Sequence, residues 1–246
     1  MTRRRWIADE VSDNRAALID DHADHLVRVL RARVGQDFDI VTGDKVRHGR
    51  IIALAPARVE FELLEEVRTA AQSNTILLLS IFKFDRMELA VEKCTELGVS
   101  QIVPVIARRT DAHLASASGK RVERWNRIAL QAAEQSRRSS PPRIEPPQKL
   151  KDAVEMKAAF RVVLAEAERQ ALLNQVLRSA NDDIALAIGP EGGWAQDELK
   201  LFHDRGWTAA SLGPTILRAE TAAIAATVIA VSSRLPKENS TGENQV

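Results

Sequence analysis

Residues 184–194 read IALAIGPEGGW, an apolar run that passes directly into a turn rich in glycine. The apolar run is typical of a parallel strand covered on both faces of its sheet. Gly189, Gly192 and Gly193 permit positive φ angles or a close backbone approach to a ligand, and Pro190 stiffens the turn. Because ligands of open α/β sheets bind beyond the carboxyl ends of strands, this segment predicts a ligand site in an α/β domain.

A second loop has the same character. A predicted strand at residues 209–212 runs into GPTILRAET, residues 213–221, and Arg218 then enters a helix whose continuation, residues 222–230, is almost wholly apolar. Each feature has a plainer explanation: a tight turn for the first loop, an ion-pair partner for Arg218, and a charge that complements the helix dipole for Glu220. Two such loops, each at the end of a predicted strand, favour a ligand site over these separate explanations.

The same alternation of strands and helices continues on both sides of these loops. Strands are predicted at residues 76–82, 102–106, 161–165, 184–188 and 209–212. Helices are predicted from Met87 to a stop at Gly98, and at residues 120–138, 169–180, 196–204 and 219–233. This alternation indicates an α/β domain, residues 75–235, with a mainly parallel sheet.

The first 70 residues follow a different pattern. Strand-like runs occur at residues 37–42, 50–54 and 58–64, and a short helix is predicted at residues 25–30 with Leu26, Val29 and Leu30 on one face. Val59, Phe61 and Leu63 alternate with glutamates, as in a half-buried strand. We therefore expect a small β-rich module at residues 1–70, a linker near residues 69–75 and a disordered tail at residues 236–246.

The composition excludes several classes of protein. With 246 residues, 45% of them hydrophobic and 28% charged, the chain can bury a substantial core. No apolar run approaches the roughly 20 residues that span a bilayer. Acidic residues follow the basic start where a signal peptide needs an apolar core. Cys94 is the single cysteine and cannot form an intrachain disulfide, so we interpret the protein as cytoplasmic.

The basic residues are unevenly distributed. The net charge is only +1, yet residues 108–151 hold eleven Lys or Arg against four Asp or Glu. Such a segment is typical of a phosphate-binding face or, equally, of a solvated helix surface.

Several familiar chemistries are absent from the sequence. It has neither a G-x-x-x-x-G-K-[ST] loop nor a G-x-G-x-x-G turn after a first strand. The five histidines are scattered, and Asp21 and Asp24 beside His22 and His25 favour an acidic surface turn over a metal site. Cys94 lies on the apolar face of its helix, which favours a core position over a nucleophile. No metal site is predicted.

Four further sequence blocks point to a known family. KFDRME at residues 83–88 is followed by KCTELGV at 93–99, and WNRIA at 125–129 by AEQSRR at 133–138. Together with residues 188–193 and 212–222, they resemble, in the same order, the 16S ribosomal RNA uracil-N3 methyltransferases of the SPOUT superfamily. The resemblance covers essentially residues 1–235. Two positions depart from the family pattern: Thr215 stands where Arg is common, and Phe84 where Gly is frequent.

The resemblance implies an architecture and a cofactor. The fold expected is α/β, with a trefoil-knotted, parallel-sheet SPOUT domain at residues 75–235 preceded by a small PUA-like RNA-binding β-barrel at residues 1–70, in a homodimer. The cofactor expected is S-adenosyl-L-methionine, and the partner is 16S ribosomal RNA or the 30S particle. By matching position, the cofactor residues are Leu164, Ala165, Glu166, Ile188, Gly189, Pro190, Glu191, Gly192, Gly193, Leu212, Gly213, Ile216 and Leu217.

The reaction implied is methylation of N3 of a specific uridine. Arg218 is the candidate that stabilises charge on the uracil carbonyls or orients a phosphate, and Glu220, or else Glu191, accepts the proton or holds Arg218. The alternatives are another SPOUT RNA methyltransferase, acting on a ribose 2′-hydroxyl or a different base, and a non-catalytic RNA-binding assembly factor. The candidate RNA-binding residues are Arg3, Arg4, Arg5, Arg108, Arg109, Lys120, Arg121, Arg124, Arg137 and Arg138.

Overall fold

A computed structural model of the chain describes residues 5–43, 45–67, 74–168, 170–180 and 183–233. Arg3, Arg4, the predicted tail at 236–246 and most of the predicted linker at 69–75 lie outside these ranges. Among the described residues, no helix has the length and apolar character needed to cross a membrane.

The N-terminal module is a six-stranded sheet. Its strand order is β1-β4-β5-β6-β3-β2, with β1 parallel to β4 and the other neighbours antiparallel. The strands are β1 (Arg5–Ile7), β2 (Glu10–Ser12), β3 (Arg15–Ile19), β4 (Asp37–Thr42), β5 (Lys45–Ala55) and β6 (Arg58–Glu66).

This sheet is strongly curled. Its two edge strands, β1 and β2, are joined by only Ala8 and Asp9, a link far too short to cross six strands laid flat about 4.8 Å apart. The Ala8 amide donates to the Val41 carbonyl and the Asp9 amide to the Ala17 carbonyl, both at 3.0 Å. The curled sheet encloses an apolar core, and the alternation predicted for residues 59–63 is confirmed, because all three apolar side chains are buried.

The helix predicted at residues 25–30 is wrong in its bounds and its geometry. Helix α1 (Asp20–Asp24) passes into a π-helical turn, His25–Val29, in which the Leu30 amide donates to the His25 carbonyl at 3.1 Å. The wider turn keeps Leu26 buried but rotates Val29 outward, where 64% of it is exposed.

The second sheet carries the predicted α/β domain. Its strands are β7 (Thr75–Ser80), β8 (Gln101–Ile106), β9 (Arg143–Ile144), β10 (Gln148–Lys149), β11 (Phe160–Leu164), β12 (Ile184–Ile188) and β13 (Thr208–Ala210). The order is β10-β8-β7-β12-β11-β13, with β9 also beside β8, and every pairing is parallel. The predicted parallel sheet is confirmed.

Helices cover both faces of this sheet. They are α2 (Phe84–Glu96), α3 (Ala112–Ala117), α4 (Val122–Gln135), α5 (Leu150–Ala153), α6 (Leu173–Val176), α7 (Gln196–Asp204) and α8 (Ala219–Ser232). Successive side chains of the central strands point to opposite faces: Leu77 and Leu79 of β7 join the core that contains α2, α4 and α8, whereas Ile76 and Leu78 join the core that contains α5 and α7.

Two predicted helices are shorter than expected. Of the predicted segment 169–180, the structure describes residues 170–180, and there only α6 is helical, because the chain just before it runs extended and bridges Leu172 to Ser211, the residue that follows β13. The helix predicted at 120–138 starts at Val122 after a 3₁₀ turn and stops at Gln135, and Arg137 then adopts a φ of 61°. Helix α8, although almost wholly apolar at residues 222–230, is not buried on every side: Ala223, Ala226 and Ala230 are buried, but Val228 is 44% exposed.

Candidate active site

The site is formed by three loops that follow three adjacent strands. Because β12, β11 and β13 are parallel neighbours, their carboxyl ends meet at one edge of the sheet. The loops that leave them, together with α2 and α7 residues, enclose a cavity of about 630 Å³. The sequence-based expectation that the two glycine-rich loops lie together is therefore met in the structure.

Gly189 in the loop after β12 permits a close contact with Trp194. A Cβ atom at Gly189 would lie only 3.2 Å from the indole Nε1, which is tighter than nearly all side-chain contacts. Trp194 Nε1 donates to the Leu164 carbonyl at 3.1 Å and so ties this loop to the loop after β11. Gly193 closes the turn with a φ of +69°, its amide donating to the Pro190 carbonyl at 2.8 Å. The loop therefore depends on glycine at two positions for separate reasons.

The loop after β13 presents backbone and apolar groups to the cavity. Gly213 has a φ of +132°, which L side chains rarely adopt. The Ala165 amide donates to the Ala210 carbonyl at 3.0 Å and holds this loop beside the loop after β11. Ile216 is 76% exposed at the rim, an unusual position for a large apolar side chain and one suited to covering a ligand. Thr215, the departure from the family pattern, is also exposed there.

Arg86 of α2 links the first loop to helix α8. Its Nη1 donates to Glu191 Oε1 at 2.6 Å, and its Nε lies 3.8 Å from Glu220 Oε1. A guanidinium with two acidic partners fixes the relative position of the elements that carry them. Arg86 also lines the cavity and was not among the predicted site residues.

Glu220 and Arg218 lie in different environments. Glu220 is 7% exposed, and its Oε2 is buried without a hydrogen-bond partner among the described residues. Arg218 precedes α8, is exposed, lines the cavity and has no ion pair among the residues that the structure describes. The hypothesis that Glu220 holds Arg218 is therefore wrong: the cation near Glu220 is Arg86, because α2 packs directly against α8.

All thirteen predicted cofactor residues line the cavity. Sequence reasoning missed further lining side chains, among them Arg86 and Trp194, although both lie in or beside the quoted blocks. Arg109 was predicted to bind RNA, but its Nη1 donates to the Gly192 carbonyl at 2.6 Å within the cavity wall. The block KFDRME at residues 83–88 contains Arg86 and could have indicated a role for it, but no spacing rule indicated which loop its side chain reaches.

Four predicted RNA-binding residues lie on the surface near α4 or α7. Lys120 is exposed, and the Arg121 guanidinium lies 4.6 Å from the centre of the Phe84 ring. Arg124 makes a two-pronged ion pair with Glu88 at 2.5 and 2.7 Å. Arg108 pairs with Asp197 at 2.5 Å and is 66% exposed.

Two others, Arg5 and Arg137, lie where the sheet of the N-terminal module meets the end of α4, and Arg138 lies against α2. Arg5 donates from Nη1 to the Arg137 carbonyl, faces Asp39 at 3.8 Å and is only 12% exposed, so burial lowers its pKa. Arg137 itself is exposed. Arg138 does not point outward as expected: its Nη1 donates to the Thr95 carbonyl at 2.7 Å, and burial lowers its pKa to about 10.

Cys94 is buried, and its surroundings are those of a core residue. Burial raises the pKa of the Cys94 thiol to about 12, consistent with the core position predicted for it. Within the described ranges, no group of three or more His, Cys, Asp or Glu side chains is arranged to hold a metal ion.

Comparison with known proteins identifies related sequences. The RNA methyltransferase domain family matches residues 69–231. Ribosomal RNA small subunit methyltransferase E of Rickettsia conorii is 32% identical over 232 residues, which cover 91% of this chain and 92% of that protein. The protein of the same name from Mycobacterium tuberculosis is 30% identical over 240 residues, 92% of this chain and 90% of its own length.

The comparison of folds agrees with the comparison of sequences. The fold is similar to that of ribosomal RNA small subunit methyltransferase E from Neisseria gonorrhoeae, which was crystallised bound to S-adenosyl methionine. The TM-score is 0.82 at 31% sequence identity, and the match covers 92% of this chain and 95% of that one.

Proposed function

The chain belongs to the RNA methyltransferase family, and we propose that it transfers a methyl group from S-adenosyl-L-methionine to N3 of a specific uridine in 16S ribosomal RNA. The observation that carries the proposal is the convergence of three loops, from three adjacent parallel strands, on one cavity of about 630 Å³. The relative from Neisseria gonorrhoeae, 31% identical, binds this cofactor in its crystal structure.

The residues around the cavity fit such a cofactor. Leu164, Ile188 and Leu217 supply apolar surface for an adenine ring, and the glycine turn 189–193 brings backbone amides and carbonyls close without side chains in the way. Arg109, which donates to the Gly192 carbonyl, is a cation of the cavity wall that can meet a carboxylate. The cavity thus combines an apolar bed, peptide groups and a cation for the carboxylate, which suits a nucleoside cofactor that carries an amino-acid end.

The protein's part in the reaction is positioning and charge management. The sulfonium of the bound cofactor supplies an already activated methyl group, so the main barrier left is to align uracil N3 and remove its proton. We infer that the exposed Arg218 guanidinium stabilises negative charge that develops on the uracil carbonyls, or holds the adjacent phosphate. Glu220 is the proposed proton acceptor. It is not itself one of the lining residues, but it lies between Ala219 and Ala222, which line the cavity; its Oε2 has no hydrogen-bond partner in the described part of the chain, and Arg86 orients it through Oε1.

Kinetics of Arg218→Ala and Glu220→Gln test these roles. Losing a charge-stabilising group or a general base lowers turnover by about a hundredfold or more, and the cofactor affinity of both variants should stay near the wild-type value. Calorimetric titration with S-adenosyl-L-methionine supplies the cofactor affinity. Near-normal turnover with bound cofactor would remove both residues from the chemistry, and a wild-type protein that fails to bind millimolar cofactor would favour the assembly-factor alternative.

The remaining parts of the proposal concern architecture and partners. We infer a PUA-like RNA-binding barrel at residues 1–70, a knotted SPOUT domain at residues 75–235, and an active homodimer in the cytoplasm. The curled six-stranded sheet supports the barrel, and the loops that follow β11, β12 and β13 support the knotted domain. Exposed apolar side chains on two adjoining helices, Leu89 of α2 and Val228 of α8, support the homodimer.

A further inference from the structure

A second cavity, of about 930 Å³, lies between the N-terminal module and α4. Trp6, Asp20, Asp21 and His25 line it from the side of the curled sheet. On the other side, its wall is the face of α4 and the residues that follow it. None of the three loops that form the candidate active site contributes to it, so the cleft is a separate site.

The α4 wall offers two exposed arginines, Arg127 and Arg137, and one half-buried acid, Glu134. Arg127 is 66% exposed, and its partner Glu123 lies 3.4 Å away with 89% of its own side chain exposed. Exposed pairs of this kind contribute little, so Arg127 is available to another anion. Arg137 is exposed, and no carboxylate pairs with it among the described residues, while Gln131 adds an exposed amide. This wall is suited to phosphate groups.

The opposite wall offers acceptors and an aromatic ring. Asp20 and Asp21 are exposed at the start of α1. His25 is exposed, and its ring lies 5.7 Å from that of Trp6, centre to centre. Carboxylates accept hydrogen bonds from the amino groups of cytosine, adenine and guanine, and aromatic rings stack on bases. This wall is suited to the bases of a single strand.

The interface also has unmet hydrogen-bonding capacity. Arg5 Nε, Trp6 Nε1 and Glu134 Oε1 are buried polar atoms without a hydrogen-bond partner among the described residues, and all three side chains line the cleft. Burial raises the pKa of Glu134, with His22 at 3.6 Å opposing that shift and Asp9 adding to it. Groups left unmet in this way are usually satisfied by a polar ligand or ordered water.

Helix α4 connects this cleft to the candidate active site. Arg121, just before α4, lies over the ring of Phe84, two residues before Arg86 in the cavity wall. Arg127 follows six residues later, about 9 Å along the helix axis. Arg121 thus contacts α2, the helix that carries Arg86 of the first cavity, while Arg127 further along α4 lines the second.

We propose that this cleft binds a single-stranded segment of the substrate RNA that flanks the methylated nucleotide, with phosphates on Arg127 and Arg137 and a base between His25 and the Asp20 and Asp21 carboxylates. The proposal rests on the proposed function, since it takes RNA as the substrate. It assigns the cleft to bases with an amino group, so cytidine is preferred to uridine.

Anisotropy of labelled oligocytidine and oligouridine, each about ten nucleotides long, tests the cleft with the full-length protein. Arg127→Ala is expected to bind oligocytidine roughly tenfold more weakly, and Arg127→Lys close to the wild type. The slope of log affinity against log salt becomes shallower by about 0.7 for each phosphate that the protein no longer neutralises. Asp20→Asn with Asp21→Asn reduces the preference for oligocytidine. Lys200→Ala is the matched control, because Lys200 has the same i,i+4 pairing and is 73% exposed on α7.

Two outcomes separate this proposal from the proposed function. If Arg127→Ala keeps wild-type affinity and salt slope while the protein methylates RNA, the cleft is not an RNA site and the methyltransferase assignment stands. If Arg127→Ala loses affinity but the wild type methylates no RNA, the cleft binds RNA and the assigned reaction fails. On our account, Arg127→Ala raises KM for RNA and leaves kcat and cofactor affinity unchanged.

Discussion

Several residues in the cavity wall act mainly by positioning neighbouring side chains. Gly189 leaves room for the Trp194 indole, and that indole donates to Leu164 from a different loop. Arg86 does the same through charge, since it holds Glu191 and lies near Glu220. The cavity therefore depends on contacts between the loops as well as on the residues within each of them.

Substitution of Gly189 by Ala tests this dependence. The added methyl group would meet the indole at 3.2–3.3 Å, so Trp194 must shift and its bond to Leu164 weakens. We expect a loss of about 1–3 kcal/mol in the free energy of unfolding, measured with urea, and weaker binding of S-adenosyl-L-methionine. Gly119→Ala is the control, because nothing lies within 4 Å of its Cβ position. If Gly189→Ala matches Gly119→Ala in both measurements, the close contact has no role.

At the residue scale, the sequence predicted the loop positions better than the side-chain partners. Glycines and proline after an apolar run have local conformational preferences, so residues 189–193 were assigned to the site from sequence, and they line the cavity. The partner of Glu220 depends on how α2 packs against α8, a contact between residues more than a hundred positions apart. No local pattern specifies that contact, and Arg218 was proposed in place of Arg86 for that reason.

At the scale of secondary-structure elements, the position at which α4 ends determines which arginines of the basic segment 108–151 face the solvent. The helix stops at Gln135, and the positive φ of Arg137 turns the chain so that Arg138 points inward to the Thr95 carbonyl. Helical periodicity alone would have placed both arginines on the outer surface. The same limit applies to segment 169–180, where extended pairing of Leu172 with Ser211 replaces most of a predicted helix.

Arg138→Ala separates a structural arginine from an RNA-binding one. The substitution leaves the Thr95 carbonyl without its charged donor, so we expect a loss of about 2 kcal/mol in unfolding free energy and no change in RNA affinity or its salt dependence. Lys120→Ala is the comparison variant for an exposed cation. Because Lys120 is exposed, the free energy of unfolding should change by less than about 0.5 kcal/mol. A stable Arg138→Ala variant with weakened RNA binding would contradict this assignment.

At the scale of the whole molecule, the chain combines a curled N-terminal sheet with a parallel α/β sheet, and the two meet at α4. The alternation of strands and helices in the sequence was enough to predict the parallel direction of the second sheet, but not the order of its strands or the two-residue strands β9 and β10. Strands β1–β3 of the first sheet were not predicted, because each is three to five residues long and polar in part. The pairing of β1 with β4 and of β3 with β6, which no local signal indicates, closes the curl of that sheet, and Trp6 of β1 lines the cleft beside α4.

The central claim, methylation of uridine N3 with S-adenosyl-L-methionine, is tested most directly by the product. Small-subunit ribosomal RNA or 30S particles prepared from cells that lack this gene should be incubated with the purified protein and cofactor, then digested to nucleosides and measured by mass spectrometry. The account predicts one 3-methyluridine per RNA, formed about a hundredfold or more slowly by Glu220→Gln under the same conditions. A ribose-methylated nucleoside, another methylated base, or no gain of methyl groups would contradict it.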